Sequence, residues 1–189
     1  MAQLRAIYDA CVLYPAPLRD FLMQLTLTDL FRAKWTNRIH DEWIRNLLEN
    51  RPDLKREQLE KTRRLMNTAT RDCLVEGYDD LIESVKLPDE DDRHVLAAAI
   101  HAHAGIIVTF NLKDFPPKAL RQHKIEAVHP DDFISRLIEI DSAAVCEATR
   151  QHRARLRNPS KSVEEYLLTL SNQGLIKTVE HLKANDDLI

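Results

Sequence analysis

Glycine is scarce, with only 3 in 189 residues. Neither GxGxxG nor GxxxxGK[ST] occurs, so the chain has no glycine-rich loop for a dinucleotide or a nucleoside triphosphate. Cysteine is scarce as well. Cys11, Cys73 and Cys146 are odd in number and far apart, with no CxxC and no Cys/His zinc spacing. This excludes a disulfide framework and predicts a reducing, cytoplasmic setting. No run reaches the roughly 18 apolar residues of a spanning helix. MAQLRAIYDACVLY lacks the longer apolar core of a signal peptide. No membrane partner is expected. A positive excess is also missing. Lys and Arg total 27 against 30 Asp and Glu, a formal charge of -3, unlike a protein that coats nucleic acid, although a local basic groove stays open.

What is present centres on Leu87 to Phe115, LPDEDDRHVLAAAIHAHAGIIVTFNLKDF. Asp89, Glu90, Asp91 and Asp92 run together into an apolar helix pattern, with Val95, Leu96, Ala99 and Ile100 at helical spacing. Gly105 reads as the helix stop. Ile106 to Phe110 is a short β-branched run and reads as a buried strand, followed at once by Asn111 and Asp114. Helix starts and strand ends share one edge of a parallel α/β sheet, which is where such sheets bind ligands. Capping is the competing reading, because carboxylates suit helix starts. A cap needs one carboxylate, and four adjacent ones repel.

The remaining chain repeats this alternation. Leu4 to Tyr8 reads as a first strand that ends at Asp9. Pro17 to Leu30 is helical in pattern, and Lys34-Trp35 is a strand or turn. Thr36 caps a helix to about Asn50, with Ile39, Trp43 and Leu47 on its apolar face and Glu42 beside them. Leu54 to Arg71 is a second helix whose basic residues read mainly as a solvated face. CLVEGY (73–78) reads as a strand, Lys118 to His123 as a short helix, Ile125 to Val128 as a last strand, and Pro130 opens a helix to about Ile140. Strands thus alternate with helices over 1–140, the signature of a parallel α/β domain. Residues 141–189 are helical only. Ser162 is a cap there and Gly174 a break. The segment is too short for an independent core and is expected to dock on the α/β domain or a partner.

The acids at strand ends and helix starts are Asp9, Glu42, Asp92 and Asp114, with the amide of Asn111. His101 and His103 fall on different faces of a helix, so a zinc pair is not expected. Oxygen ligands without His or Cys select hard cations such as Mg²⁺ or Mn²⁺, whose sites typically act on phosphates. A phosphatase that uses a strand-end Asp would want a second Asp two residues on, where Cys11 stands. A receiver domain would want an acceptor Asp on a middle strand, which CLVEGY does not supply.

IYDACVLY with Asp9, the helix carrying Glu42, DEDDRHVLAAA with Asp92, and VTFNLKDFP with Thr109, Asn111 and Asp114 together resemble a PIN-domain ribonuclease. Their order and spacing are similar to the VapC-like toxins of toxin–antitoxin pairs. The resemblance covers about residues 4–140. RNPSKSVEEYLLTL and the helix after Gly174 look like an appendage that some members carry. It implies a PIN-like fold with a central, mostly parallel sheet flanked by helices and an all-helical C-terminal extension. It also implies a Mg²⁺- or Mn²⁺-dependent endoribonuclease that cuts single-stranded RNA, with Asp9, Glu42, Asp92 and Asp114 catalytic. Asp9, Asp92, Asp114 and Asn111 would hold metal. Asn111 departs from the family, where many members have Asp, and so removes a charge from the second metal position. Arg93, Lys113, Lys118 and Arg121 flank this edge and are candidates to hold RNA phosphates. A cognate antitoxin is the implied protein partner, and homodimerisation is left open. The alternative is the same fold with an inactive site, serving as an RNA- or partner-binding module.

Overall fold

An apolar strand opens the described chain, which runs from residue 4 to residue 189 of the computed structural model. β1 spans Leu4–Tyr8, and its Ala6, Ile7 and Tyr8 are wholly buried, as expected of a central parallel strand. β2 (Phe31–Lys34) and β3 (Ile106–Val108) flank it, and β4 (Glu126–Val128) lies beyond β3. The order is β2-β1-β3-β4 and every pairing is parallel. Strand order therefore reverses at β1. The crevice between the carboxyl ends of β1 and β3 is the switch point at which open α/β sheets bind ligands.

Several helix starts follow from local chemistry already visible in the residues. α1 (Ala10–Leu13) leaves β1 directly, capped by Asp9, and α2 (Ala16–Leu25) follows Pro15. α3 spans Asn37–Asn50, and the Thr36 hydroxyl accepts the Ile39 N–H at 3.0 Å, as the cap reading predicts. α4 spans Arg56–Ala69, α5 Asp79–Ile82, α6 Arg93–His101 and α7 Pro117–Leu120. Asn67 of α4 accepts from Trp35 Nε1 (2.8 Å) and stands 3.0 Å from His40 Nε2, while Trp43 Nε1 donates to His40 Nδ1 (3.0 Å). Because Nδ1 accepts, the neutral ring carries its proton on Nε2 and donates it to Asn67. This buried polar network fixes α3, and with it Glu42, against α4. Val95 to Ala99 of α6 are all buried, and α6 packs on β1 and β3.

The chain forms two compact units. One comprises the residues up to Tyr14 together with Phe31–His129; the other comprises Pro15–Leu30 and Pro130–Ile189. The second unit is all-helical: α2, α8 (Pro130–Ile140), α9 (Ser142–Arg155), α10 (Val163–Ser171) and α11 (Ile176–Lys183). Phe21 stacks on His152, with centroids 5.8 Å apart, and His152 Nδ1 meets the Tyr166 hydroxyl at 2.7 Å. Ser162 and Glu165 form a capping box on α10. Buried Asp131 accepts from the backbone N–H of Lys177 and Thr178 and from the Thr178 hydroxyl, at 2.7–2.9 Å. No helix among the described residues is long and apolar enough to cross a membrane.

Three local expectations are corrected. CLVEGY is not a strand. It contributes one bridge, Trp35 to Leu74, and then Gly77 at φ +73° turns the chain away. The helix after Pro15 stops at Leu25, and Asp29 in the left-handed region (φ +58°) lets β2 begin at Phe31, earlier than the Lys34-Trp35 reading. Gly105 does not stop α6. His103 takes the left-handed conformation (φ +51°) instead, and the Gly105 N–H donates to Arg5 O at 3.2 Å.

Candidate active site

Asp9 ends β1 and is only 4% exposed. Its Oδ1 accepts the Ala10 N–H at 2.6 Å, and its Oδ2 accepts from the Thr109 hydroxyl at 2.7 Å and the Cys11 thiol at 3.1 Å. Thr109 follows β3, so this bond crosses the switch point between adjacent parallel strands. The Thr109 oxygen also accepts the Asn111 N–H (2.9 Å), and Cys11 Sγ accepts the Phe110 N–H (3.3 Å). Each group thus orients the next. Burial pushes the Asp9 carboxyl up; the three hydrogen bonds oppose that, and the charge of Glu42 adds to it. Burial, and then Asp9, push the Cys11 thiol up to about 12, so Cys11 is a hydrogen-bonding thiol and not a thiolate nucleophile.

The acidic run before α6 divides its roles. Asp89 accepts the Asp91 N–H at 2.9 Å, and Glu90 pairs with Arg93 at 2.6 Å. Asp92 occupies the N-cap position of α6 but makes no capping hydrogen bond. Its carboxyl is pushed up to about 7, first by burial and then by the charges of Asp9, Asp89, Asp114 and Glu42. Asp92 is therefore the point at which four other carboxylates are felt. Glu42 stands 3.3 Å from the wholly buried His94 ring. That approach lacks hydrogen-bond geometry, since neither ring nitrogen of His94 has a hydrogen-bond partner among the described residues. Asp114 ends the 3-10 turn Leu112–Asp114 and lines an open cleft of about 570 Å³ with Pro88, Asp89, Glu90 and Asp91.

The charges of Asp9, Glu42 and Asp114 are all felt at Asp92, although these acids are not posed together as a ligand set. Asn111 has its backbone committed to Thr109 and, through its carbonyl, to the Asp114 N–H (3.0 Å), and its side chain exposed. Lys113, Lys118 and Arg121 are exposed on the segment after β3. The charge of Arg93 is engaged by Glu90. Residue patterns did not single out His94, which meets Glu42 across 52 positions, nor the thiol of Cys11 as a donor to Asp9. Only the position of Cys11, two residues after a strand-end acid, could have suggested the latter.

The donor set is oxygen alone, which suits a hard divalent cation. Among the described residues no group of three or more His, Cys, Asp or Glu side chains is posed to hold a metal ion. Both oxygens of Asp9 are taken up in hydrogen bonds. The acids are thus chemically suited to an ion and electrostatically strained without one, but they stand apart.

Residues 5–113 match the family model described as PIN domain. The chain belongs to the PIN-domain family. Residues 130–184 of this PIN-domain chain match a second model, the VapC50 C-terminal domain. A stretch of 58 residues is 53% identical to a Mycobacterium tuberculosis protein named "Putative ribonuclease VapC50". That stretch covers 31% of this chain and 34% of the relative, so the match spans about a third of the relative's length. No solved structure matches the chain.

Proposed function

We propose that this PIN-domain protein is a Mg²⁺- or Mn²⁺-dependent endoribonuclease that cleaves single-stranded RNA in the cytoplasm, and that it is the toxin of a toxin–antitoxin pair. The observation that carries the reading is the carboxylate group around Asp92, whose acid is pushed up to about 7 first by burial and then by the charges of four other carboxylates. Buried like charges persist where something offsets them, and among the described residues no protein cation is paired with Asp9 or Asp92. Membership of the PIN family and the ribonuclease name of the relative support the same conclusion. The match to the VapC50 C-terminal domain supports the toxin assignment, and a cognate antitoxin is the protein partner it implies.

A bound divalent ion would offset the carboxylates' repulsion, lower the pKa of water and neutralise charge gathering on the phosphate. Asp9, Asp92, Asp114 and the amide of Asn111 would hold it. Thr109 and Cys11 fix the Asp9 carboxylate, so approach to an ion falls to Asp92 and Asp114, which stand on loop ends and are only half-buried. Glu42, beside His94, adds to the repulsion felt at Asp92 that a bound cation would offset. Lys113, Lys118 and Arg121 are placed to hold RNA phosphates that the acids would repel. In-line attack by water leaves a 5′-phosphate and a 3′-hydroxyl.

The test incubates pure protein with single-stranded and duplex RNA in Mg²⁺, Mn²⁺ or EDTA. Cleavage of the single strand that requires the metal is the expected result. Cleavage that survives EDTA undiminished overturns the metal mechanism. RNA binding without any cleavage favours an inactive binding module, a reading to which the unclosed pose of the acids lends some weight.

A further inference from the structure

The β1–β2 side of the sheet carries charge of the other sign. Arg5 and Arg32 are register partners on β1 and β2, and Lys34 lies two residues beyond Arg32. By strand alternation all three side chains share one face of the sheet. Like charges directly opposite across paired strands are unfavourable. With His101 and His103 from the end of α6, these cations line a hollow of about 390 Å³. Asp72 is the one carboxylate among the lining residues. The hollow is built from fixed parts. Arg5 Nη1 donates to the Ala102 carbonyl at 3.1 Å, and Lys34 Nζ donates to the Asp72 carbonyl. Asp72 (φ +50°) and His103 (φ +51°) both hold left-handed backbone, a conformation that Asp and His adopt more readily than most side chains. Burial pushes the Lys34 ammonium down; Asp72 resists this, and Arg5 and Arg32 add to it. The contact of Arg5 with the C-terminus of α6 explains one cation by the helix dipole. A second hollow, of about 290 Å³, continues past His103 to His123 and Lys124.

We propose that Arg5, Arg32 and Lys34, with His101 and His103 at the rim, form a phosphate-binding site separate from the carboxylate edge. A guanidinium matches two phosphate oxygens at once, and a lysine beside it adds a point charge. Arg5 on β1 and Asp9 just past its end are four residues apart, or about 13 Å at about 3.3 Å per residue, so a phosphate held by Arg5 cannot also touch Asp9, although Lys34, in register with Ile7, lies nearer that end. The ligand chemistry is a phosphate group, from an RNA backbone extending beyond the cut or from a small phosphate compound.

Two arms separate these sources. In the first, inorganic pyrophosphate is titrated by calorimetry into the full chain, wild type and the double variant Arg32→Gln/Lys34→Gln. The double variant should bind at least tenfold more weakly. In the second, a fluorescent single-stranded RNA is bound in EDTA over a range of salt, and the slope of log affinity against log salt should fall by about 1.4, at about 0.7 per lost phosphate contact. Loss in both arms assigns the RNA backbone, and loss in the pyrophosphate arm alone assigns a small phosphate. Wild-type behaviour of the variant in both arms overturns the site. The RNA arm rests on the proposed nuclease function and the pyrophosphate arm does not. Pyrophosphate binding by a protein that ignores RNA would therefore sink that function and keep this site. Asp72→Asn guards against a variant that fails to fold, since Asn tolerates positive φ. It should tighten pyrophosphate binding several-fold, and no change in that variant also overturns the proposal.

Discussion

Asp92→Asn in metal-free protein is the sharpest test of the acidic edge. The side chain keeps its shape and loses its charge, and it makes no capping hydrogen bond that the change would break. The folded carboxyl sits near 7 against an ordinary value of 3.8. A raised acid means that the native state binds more protons than the unfolded state. The associated stability is therefore present below about pH 4, fades as pH rises, and is gone above about pH 7. Taken at full strength, that gap is about 4 kcal/mol. Asp92 is half in water, so screening reduces it to about 1–2 kcal/mol. Asn does not ionise, so the variant should match wild type near pH 4 and melt about 2–8 °C higher at pH 8, at about 2–4 °C per kcal/mol for a chain of this size. The assay is thermal unfolding in EDTA from pH 4 to 8. A variant that melts lower than wild type, or a gain that does not grow with pH, would refute the argument that like charges converge on Asp92. RNA cleavage in Mg²⁺ should be abolished in the same variant.

The remaining expectations are as follows. Asp9→Asn should abolish cleavage but, unlike Asp92→Asn, should lower the melting temperature. Its amide N–H₂ must face a donor, either the Ala10 N–H on one side or the Thr109 hydroxyl and Cys11 thiol on the other, and a mispaired buried group costs about 1–3 kcal/mol; differential scanning calorimetry decides. Asn111→Asp should bind Mn²⁺ about fivefold more tightly by titration calorimetry, because a carboxylate adds charge beside the ion at about 1 kcal/mol even when screened; equal affinity would place Asn111 outside the ligand set. His152, pushed down from 6.5 to about 4 by burial first and by Arg155 second, should remain neutral in the native state. Its contribution of about 3 kcal/mol is then complete above pH 6.5 and is lost as pH falls toward 4, so its ring resonances should titrate near 4 in folded protein, and titration near 6.5 would contradict its buried contact with Tyr166.

Much of this fold is readable residue by residue, because the controlling interactions are local. The Thr36 cap, the Ser162–Glu165 capping box and the apolar Ala6 to Tyr8 strand each show their mechanism within four residues. Local reading fails where a single backbone angle decides. Asp29 in the left-handed region starts β2 early, and His103 takes the position a glycine would be expected to hold. It fails again where a partner is distant. Trp35 converts what looks like a strand at 73–78 into one bridge, and the clustering of α2 with the C-terminal helices leaves no mark on the periodicity of Ala16–Leu25. At the site, the acids announce themselves by position, at a strand end or a helix start. Their supporting shell does not, since Thr109 reaches Asp9 across 100 residues and Glu42 meets His94 across 52.

The Thr109–Asp9 bond has a consequence for synthesis. Asp9 leaves the ribosome early, but the hydroxyl and thiol arrangement that orients it needs β3, and Asp114 emerges later still. The central pairing of this sheet is long-range, and such contacts form only after the intervening chain is available. A nascent chain shorter than about residue 114, or one truncated there, carries the first carboxylate without its orienting partners. The carboxylate edge is therefore complete only once the chain has been made past Asp114. Two halves split between Tyr78 and Pro88 and expressed together should regain function only when they reassemble.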